Sequence, residues 1–531
     1  MTGRGTILRM FHLTSPVGPL PDGRGSEGSA IRSKYVVAFL IAATMLAKPV
    51  KIETGSVEGH PGVQSAVTVY KGIPYAAPPI GELRWKVPQR AAAWTGTRDA
   101  AEFGPVCMQI PYPEGSLFRS ALGPVSEDCL TLNVWTTAAI NAKLPVMVWI
   151  HGGALTRGSG GTSWYDGEAL ARKGVVVVTL NYRLGAFGFL AHSELTAESP
   201  QHTSGNYGIL DQVAALEWVK RNIAAFGGDP GKVTVFGESA GSWSTNCLMA
   251  SPLTRGLVHR VIGESGAFFG VMKKLREAEV VGARAGDLKT LRAKSAEEIL
   301  KATYDQRAIG PVVDGYLLPT DIYTIFKEGK QTDVPLLAGY NADEGTAFAN
   351  WNGDVDAFVK QAKQRFGPLT DEFLQAYPVS TPAEAKASFY ATFRDTTFGW
   401  NMRTWGRMVE KTGHHPAYLY YFSRVTPGPQ AERYGAYHAS EIAYVFATLE
   451  LIKRPTEDVD LKMSEAMSSY WVNFAKNGDP NGPGLPKWPV YRAKDEVWME
   501  FNAEPKTRVE LNKAKLDVMD KWYVEQRAKG Q

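Results

Sequence analysis

Residues 232–244 read KVTVFGESAGSWS. An apolar stretch carrying Val233, Val235 and Phe236 runs straight into Gly237-Glu238-Ser239-Ala240-Gly241, and the helix-like run SWSTNCLMA follows. A strand, then Gly-x-Ser-x-Gly, then a helix is the pattern of a nucleophile elbow. The reason is steric: the serine sits on a sharp, strained turn, and side chains two residues to either side would collide with the neighbouring strand and helix. Gly237 and Gly241 remove those collisions. Ser239 is then held out at the carboxyl end of a sheet, with the first N–H groups of the following helix aimed at a reacting oxygen. The five-residue pattern alone also fits an ordinary turn serine, so its weight comes from its flanks.

A second stretch fits the same chemistry. PVMVWIHGGALTRGSGG (145–161) runs from an apolar strand into a glycine-rich loop. Such loops offer uncrowded backbone N–H groups, and an HGG-type loop is the usual oxyanion partner of a serine elbow. A plain strand–turn is the simpler alternative. A phosphate-binding loop fits poorly, because no Gly-Lys-Ser/Thr follows.

GESAG, IHGGA, EDCLTLNVW (127–135) and YKGIPYAAPPIGELRW (70–85), in that company, resemble the type-B carboxylesterase/lipase family, which includes bacterial para-nitrobenzyl-type esterases and the cholinesterases. The likeness runs from about residue 50 to the C-terminus. It implies an α/β-hydrolase fold and a triad in the order Ser, Glu or Asp, His. By resemblance the acid lies in AGYNADEGTAF, giving Glu344, and the histidine in GAYHASEIAYVF, giving His438. Reading the residues themselves agrees. Glu344 follows the strand-like VPLLAGY, which would deliver it to the same sheet end as Ser239, with Asp343 as the rival acid. Of nine histidines only His414, His415 and His438 lie beyond Glu344, and the first two precede a strand-like run as exposed residues. His151 reads as a loop-packing residue.

The implied chemistry is ester hydrolysis through an acyl-enzyme. His438 takes the Ser239 proton, Glu344 orients the imidazole, and the N–H groups of Gly153, Ala154 and Ala240 hold the oxyanion. No metal or organic cofactor is needed. The resemblance further implies that Ser265, in VIGESGAFF, supports the acid–histidine pair and that Phe268 and Phe269 fall where acyl-pocket residues often sit. For those two, ordinary core packing is an equal alternative. Leu155 is a further candidate for the substrate pocket. The family's first disulfide matches Cys107 and Cys129. One departure, GSWSTNC after the elbow, leaves the triad alone and alters the packing behind the pocket.

Positioning these groups requires a sheet. PVMVWI (145–150), VVVVTLNYR (175–183), KVTVF (232–236), VPLLAGY (334–340) and AYLYYFSR (417–424) read as buried strands. Continuous apolar runs suit strands covered on both faces. Helical segments alternate with them. One spans 208–226 and stops at GGDP; another carries Met467, Tyr470, Trp471 and Phe474 on one stripe and stops at KNGDPNGPG. The fold class expected is α/β, a mostly parallel central sheet with helices on both faces. Residues 270–330 and 350–415 look like helical insertions capping one end of it.

The chain has 531 residues, 44% hydrophobic and 21% charged, with a net charge of +4. Basic and acidic residues are interspersed. Even the charged run at 272–295 is of mixed sign, which argues against a nucleic-acid or membrane patch. Residues 1–47 read as a leader: a Gly/Ser/Pro/Arg-rich stretch, then YVVAFLIAATMLA (35–47), too short to span a membrane and of signal-peptide character. A single catalytic domain over 48–531 follows. The expected location is secreted or periplasmic, or cytoplasmic if 35–47 is not a signal peptide, with no stable membrane anchor. Cys107 and Cys129 could close a loop in an oxidising compartment, worth roughly 3 kcal/mol on a chain-entropy account. Cys247 reads as a buried free thiol.

The leading expectation is therefore a serine carboxylesterase. Its partner would be a small-molecule ester with an apolar or aryl part, since 22 Phe, 22 Tyr and 14 Trp give ample means to line a gorge. A lipase and a carbamate or amide hydrolase are the alternatives within enzymes. A non-catalytic interaction protein on the same fold is disfavoured by the presence of all three triad residues.

Overall fold

The computed structural model describes residues 48–63, 66–303 and 310–530. The expected leader and its apolar run lie outside the described residues. Eleven strands form one sheet: β1 (His60–Pro61), β2 (Thr68–Pro74), β3 (Thr131–Thr136), β4 (Leu144–Ile150), β5 (Val176–Leu180), β6 (Gly228–Glu238), β7 (Arg260–Glu264), β8 (Leu336–Asn341), β9 (Ala417–Phe422), β10 (Val497–Phe501) and β11 (Pro505–Val509). Their order across the sheet is 11-10-9-8-7-6-4-5-3-2-1. The strands from β5 to β10 pair in parallel. The three at one edge and β11 at the other are antiparallel. This is the α/β-hydrolase arrangement.

Side chains alternate across the sheet. Val146, Val148, Val235, Val261, Ala338 and Leu419 face one core. Met147, Trp149, Phe236, Ile262, Leu337 and Tyr420 face the other. Because both faces are covered, the strands read as unbroken apolar runs in the sequence. The first core is closed by α1 (Tyr207–Asn222), α2 (Ala240–Ala250), α4 (Trp400–Thr412) and α6 (Lys513–Lys529), the second chiefly by α5 (Asp458–Asn477). Met467, Tyr470, Trp471 and Phe474 on α5 are all buried, and Gly478 ends that helix in the left-handed conformation.

Five sheet strands lie where the apolar runs put them. The antiparallel edge is harder to read, because β2 and β3 mix polar residues with apolar ones. Thr131, Asn133 and Thr136 are buried, Asn133 through its amide bond to Thr179. One expectation needs correcting. Residues 350–415 are helical, but only the part up to α3 (Pro382–Arg394) belongs to an insertion. A π-helical segment at Asp395–Gly399 joins α3 without a break to α4, whose Met402, Trp405 and Val409 pack on the sheet itself. A helix that covers a strand pair and one that caps a sheet carry the same periodicity, so local sequence does not separate them.

Candidate active site

β6 delivers Ser239 and α2 starts at the next residue. Ser239 has φ 56° and ψ −122°, a conformation that costs a non-glycine residue of order 1–3 kcal/mol. Its N–H donates to the Glu264 carbonyl at 2.8 Å, and its carbonyl accepts from Trp243 N–H at 2.9 Å. The strain is thus held between β7 and the first turn of α2. The two glycines act as expected. A Cβ on Gly241 would lie 1.9 Å from the Ile150 carbonyl oxygen, and one on Gly237 would lie 2.6 Å from the same atom. Gly266, unnoticed in the sequence, is equally confined: its Cβ would stand 2.0 Å from the Ser239 oxygen.

His438 and Glu344 arrive on separate loops at the same sheet end. Glu344 begins a short 3-10 turn three residues past β8. Its Oε2 lies 2.6 Å from His438 Nδ1, and its Oε1 accepts the Asn341 N–H at 2.8 Å. Both carboxylate oxygens are fixed and the residue is wholly buried. Asp343 does not reach the histidine. It accepts the Ala436 N–H at 2.8 Å and so anchors the segment that leads to His438. The imidazole is buried among Phe398, Phe348 and Phe118, with ring centroids 4.7, 4.8 and 6.2 Å away.

The glycine-rich loop turns tightly after β4. Gly153, Ala154 and Leu155 all have positive φ, and the Gly153 carbonyl accepts from both Thr156 and Arg157 N–H groups at 3.0 Å. Among the described residues, neither Gly153 N–H nor Ala154 N–H has a hydrogen-bond acceptor. Ala240, as the first residue of α2, has no intrahelical acceptor for its own N–H. His151 packs the turn from beneath. Its ring stacks on Tyr182 at 4.5 Å, and burial drives its pKa down to about 4, keeping it neutral. His414 and His415 are exposed.

Other expected residues fall differently. Ser265 is buried, but its Oγ bonds Glu441 at 3.3 Å, not Glu344 or His438. Glu441 in turn accepts from Asn341 Nδ2 at 2.5 Å, so Ser265 is linked to Glu344 only through Glu441 and Asn341. Leu155 and Phe269, expected in the substrate pocket, are core residues 1% and 0% exposed; Phe269 packs edge-on against Phe326. Phe268 is half-buried and stacks against Trp243, the departure noted after the elbow, at 5.4 Å. Cys107 and Cys129 are joined, and Cys247 is a buried free thiol.

Sequence reasoning missed a cluster of buried acids. Glu238, inside the elbow motif, has Oε1 3.1 Å from His438 Nε2. Burial, then the nearby Glu441, Glu344 and Glu264, push its carboxyl well above the usual range. Glu264 is raised by burial and by Glu441, although Trp471 Nε1–H donates to it at 2.8 Å. Burial, then Glu344, raise Glu441 to about 8. Glu238 and Glu441 lie in motifs already singled out, but nothing in their spacing says that four carboxyl groups share one buried space beside the imidazole.

Ser239, His438 and the Gly152–Ala154 turn all open into one cavity of about 830 Å³. Its walls include Tyr112, Phe118, Trp164, Tyr165, Phe348 and Ile442, with polar groups nearer the loops. A strained serine, a carboxylate-held histidine and outward N–H groups in a drug-sized cavity are a serine-hydrolase constellation. Residues 47–519 match the carboxylesterase family. The chain is 38% identical over 475 residues to the fumonisin B1 esterase of Sphingopyxis macrogoltabida, covering 85% of this chain and 86% of that one. It is 36% identical over 483 residues to the para-nitrobenzyl esterase of Bacillus subtilis, covering 86% and 95%. A crystal structure of a Geobacillus stearothermophilus carboxylesterase aligns with TM-score 0.78 and 34% identity over 89% of this chain and all of that one. The chain belongs to the carboxylesterase family, and it is a serine carboxylesterase, a hydrolase of carboxylic esters. Among the described residues, no helix is long and apolar enough to cross a membrane.

Proposed function

We propose that Ser239, His438 and Glu344 form the catalytic triad of this esterase, with Gly153, Ala154 and Ala240 as the oxyanion hole. The observation that carries this reading is the 2.6 Å contact between His438 Nδ1 and Glu344 Oε2 beside a strained serine that opens into the same cavity. The Ser239 Oγ attacks the ester carbonyl and His438 Nε2 takes its proton. Glu344 fixes the ring through Nδ1 and stabilises the imidazolium. The three N–H groups receive the charge that develops on the carbonyl oxygen; each such donor is worth roughly 3 kcal/mol in the transition state. The C–O bond breaks, His438 protonates the departing alcohol, and a water repeats the sequence to free the acid. Glu238 lies close to Nε2, and burial with the neighbouring carboxyl groups opposes its ionisation there.

The aromatic wall supports esters with an apolar or aryl part. Residues 48–531 act as one catalytic domain, and the chain is exported. The Cys107–Cys129 bond supports export, since such bonds persist in oxidising compartments. The test of mechanism is hydrolysis of 4-nitrophenyl esters from acetate to palmitate by the wild type and by Ser239→Ala. The variant is expected to lose about six orders of magnitude in kcat, the scale set by a serine-protease nucleophile. Undiminished turnover would remove Ser239 from the mechanism. A rate rising towards palmitate would mark a lipase. For export, mass spectrometry of secreted protein should find Cys107 and Cys129 bonded; two free thiols there would count against it.

A further inference from the structure

His438 reaches the site on a loop, and its proposed work depends on where that loop holds the ring. On the N-terminal side the loop is fixed by residues at the end of β8. Asp343 accepts the Ala436 N–H at 2.8 Å, and Asn341 Nδ2–H donates to the Tyr437 carbonyl at 2.9 Å. The chain then turns sharply. Ser440 N–H donates back to the Tyr437 carbonyl at 3.1 Å, so His438 and Ala439 are the central residues of a β-turn. Ala439 has φ 67°, in the left-handed region that a residue with a Cβ occupies under strain.

One side chain grips both ends of this turn. Arg454 Nη1–H donates to the Ser440 carbonyl and Nη2–H donates to the Tyr437 hydroxyl oxygen, each at 2.9 Å. The short helix Ile442–Val445 and the bend after it bring Arg454 back beside these residues, and its own N–H is held by the Leu449 carbonyl at 3.0 Å. The Arg454 guanidinium lies 5.1 Å from the centre of the Trp164 ring, and Trp164 lines the cavity into which Ser239 opens. Both acceptors are neutral oxygens of the turn. Ser440 is wholly buried, so its carbonyl has little water to turn to if that donor is lost.

We propose that Arg454 is a positioning residue for the esterase reaction: it braces the strained turn 437–440 and so holds the His438 imidazole against Glu344. The inference rests on the triad reading above and adds to it a residue that acts through His438. Arginine suits the task because its planar fork donates in two fixed directions at once, whereas a lysine ammonium is a single point charge on a flexible stem. Asp343 and Asn341 fix the entry to the turn, and Arg454 fixes its exit. Without Arg454 the turn relaxes and the imidazole leaves its productive position. A shift of about 1 Å at a reacting group is enough to cost about 100-fold in rate.

The test is a double-mutant cycle on the full chain, read as kcat for a 4-nitrophenyl ester. Arg454→Ala should lower kcat about 10- to 100-fold with KM little changed, because the loss lies in the reacting geometry and not in substrate binding. In a His438→Ala background the residual turnover comes from the oxyanion hole and binding, and adding Arg454→Ala there should change it by less than about 2-fold. Arg454→Lys, which reaches one of the two oxygens, should recover part of the loss. Guanidinium ion added to Arg454→Ala at millimolar concentration should raise its kcat several-fold and leave the wild type unaffected. If Arg454→Ala is too unstable to assay, the same cycle is run with Arg454→Lys. A purely structural role would lower the rate to the same extent in both backgrounds. Equal losses in both, or wild-type kcat in folded Arg454→Ala, overturns the proposal and leaves the triad in place. Full turnover by His438→Ala overturns the triad, and this inference with it.

Discussion

Two clusters of charged side chains in this molecule are built on opposite plans. Near the C-terminus, Arg403, fully buried on α4, meets Asp517 and Asp520 of α6 at 2.8 Å each, and Arg407 meets Asp520 at 2.7 Å and also bonds Glu496. Lys513 and Trp400 complete the bonding of the two aspartates. Burial alone would raise the Asp517 pKa, but hydrogen bonds from Lys513 and Arg403 outweigh it and bring the pKa down. Each charge there has an opposite. Beside His438 stand Glu238 and Glu344, with Glu264 and Glu441 buried next to them and neutral donors from Asn341, Ser265 and Trp471. Three of these carboxyl groups are held above their usual range by burial and by one another. The first cluster fastens a helix to the sheet. In the second, burial and mutual repulsion oppose the ionisation of Glu238, Glu264 and Glu441, while Glu344 is the one that bonds the imidazole through Nδ1. Unbalanced charge of this kind is where function is expected, because it opposes stability.

If the comparison holds, substitutions in the two clusters have different signatures. The largest effect belongs to Glu344→Gln, which should cost about 10⁴-fold in kcat on a 4-nitrophenyl ester with the melting temperature little changed, as loss of the orienting carboxylate does in serine proteases. Asp343→Asn, beside it, should retain most turnover, since Asp343 holds the Ala436 N–H and not the imidazole. Near-normal rates in Glu344→Gln would transfer the acid role to Asp343.

Arg403→Met should do the reverse. Removing the cation leaves Glu496 with Arg407 alone and takes one partner from each aspartate, at a cost of about 1.5–3 kcal/mol in unfolding free energy, while the protein that remains folded keeps its kcat. Equal losses in stability and kcat would mean that the C-terminal cluster also shapes the site. The smallest effect is on pH dependence. Glu441 has a folded pKa of about 8, raised from the ordinary carboxyl value. Between those two values the native state holds a proton that the unfolded state has released, so this group makes stability fall as pH rises. Glu441→Gln should flatten the decline in thermal stability between about pH 5 and pH 8, by up to about 1 kcal/mol per pH unit. An unchanged slope would show that Glu441 ionises normally.

Much of the catalytic end was legible because the elbow is local. The Gly-x-Ser-x-Gly pattern and its flanks are written in ten consecutive residues, although the crowding that Gly237 and Gly241 relieve comes from the Ile150 carbonyl on β4. The parallel strands were legible for a similar reason, since burial on both faces makes them apolar throughout. Glu344 and His438 could be named from their motifs, but the 2.6 Å contact between residues 94 apart is a fact of the sheet. Asn341 is the clearest example of the other kind. Its backbone N–H holds Glu344, its amide holds Glu441 and the Tyr437 carbonyl, and in the sequence it is only a polar residue after a strand.

What the sequence alone determined is therefore the α/β architecture and the order along the chain of the groups proposed to react. Periodicity and turn chemistry act over a few residues and survive in a linear text. Only the tertiary structure decided that four carboxyl groups share one buried space, that α4 covers the sheet instead of capping it, and that Arg157 and Arg433 line the cavity into which the serine opens. Those outcomes depend on which segments the sheet order brings together. Electrostatic free energy depends on distance and burial, which a list of residues does not contain.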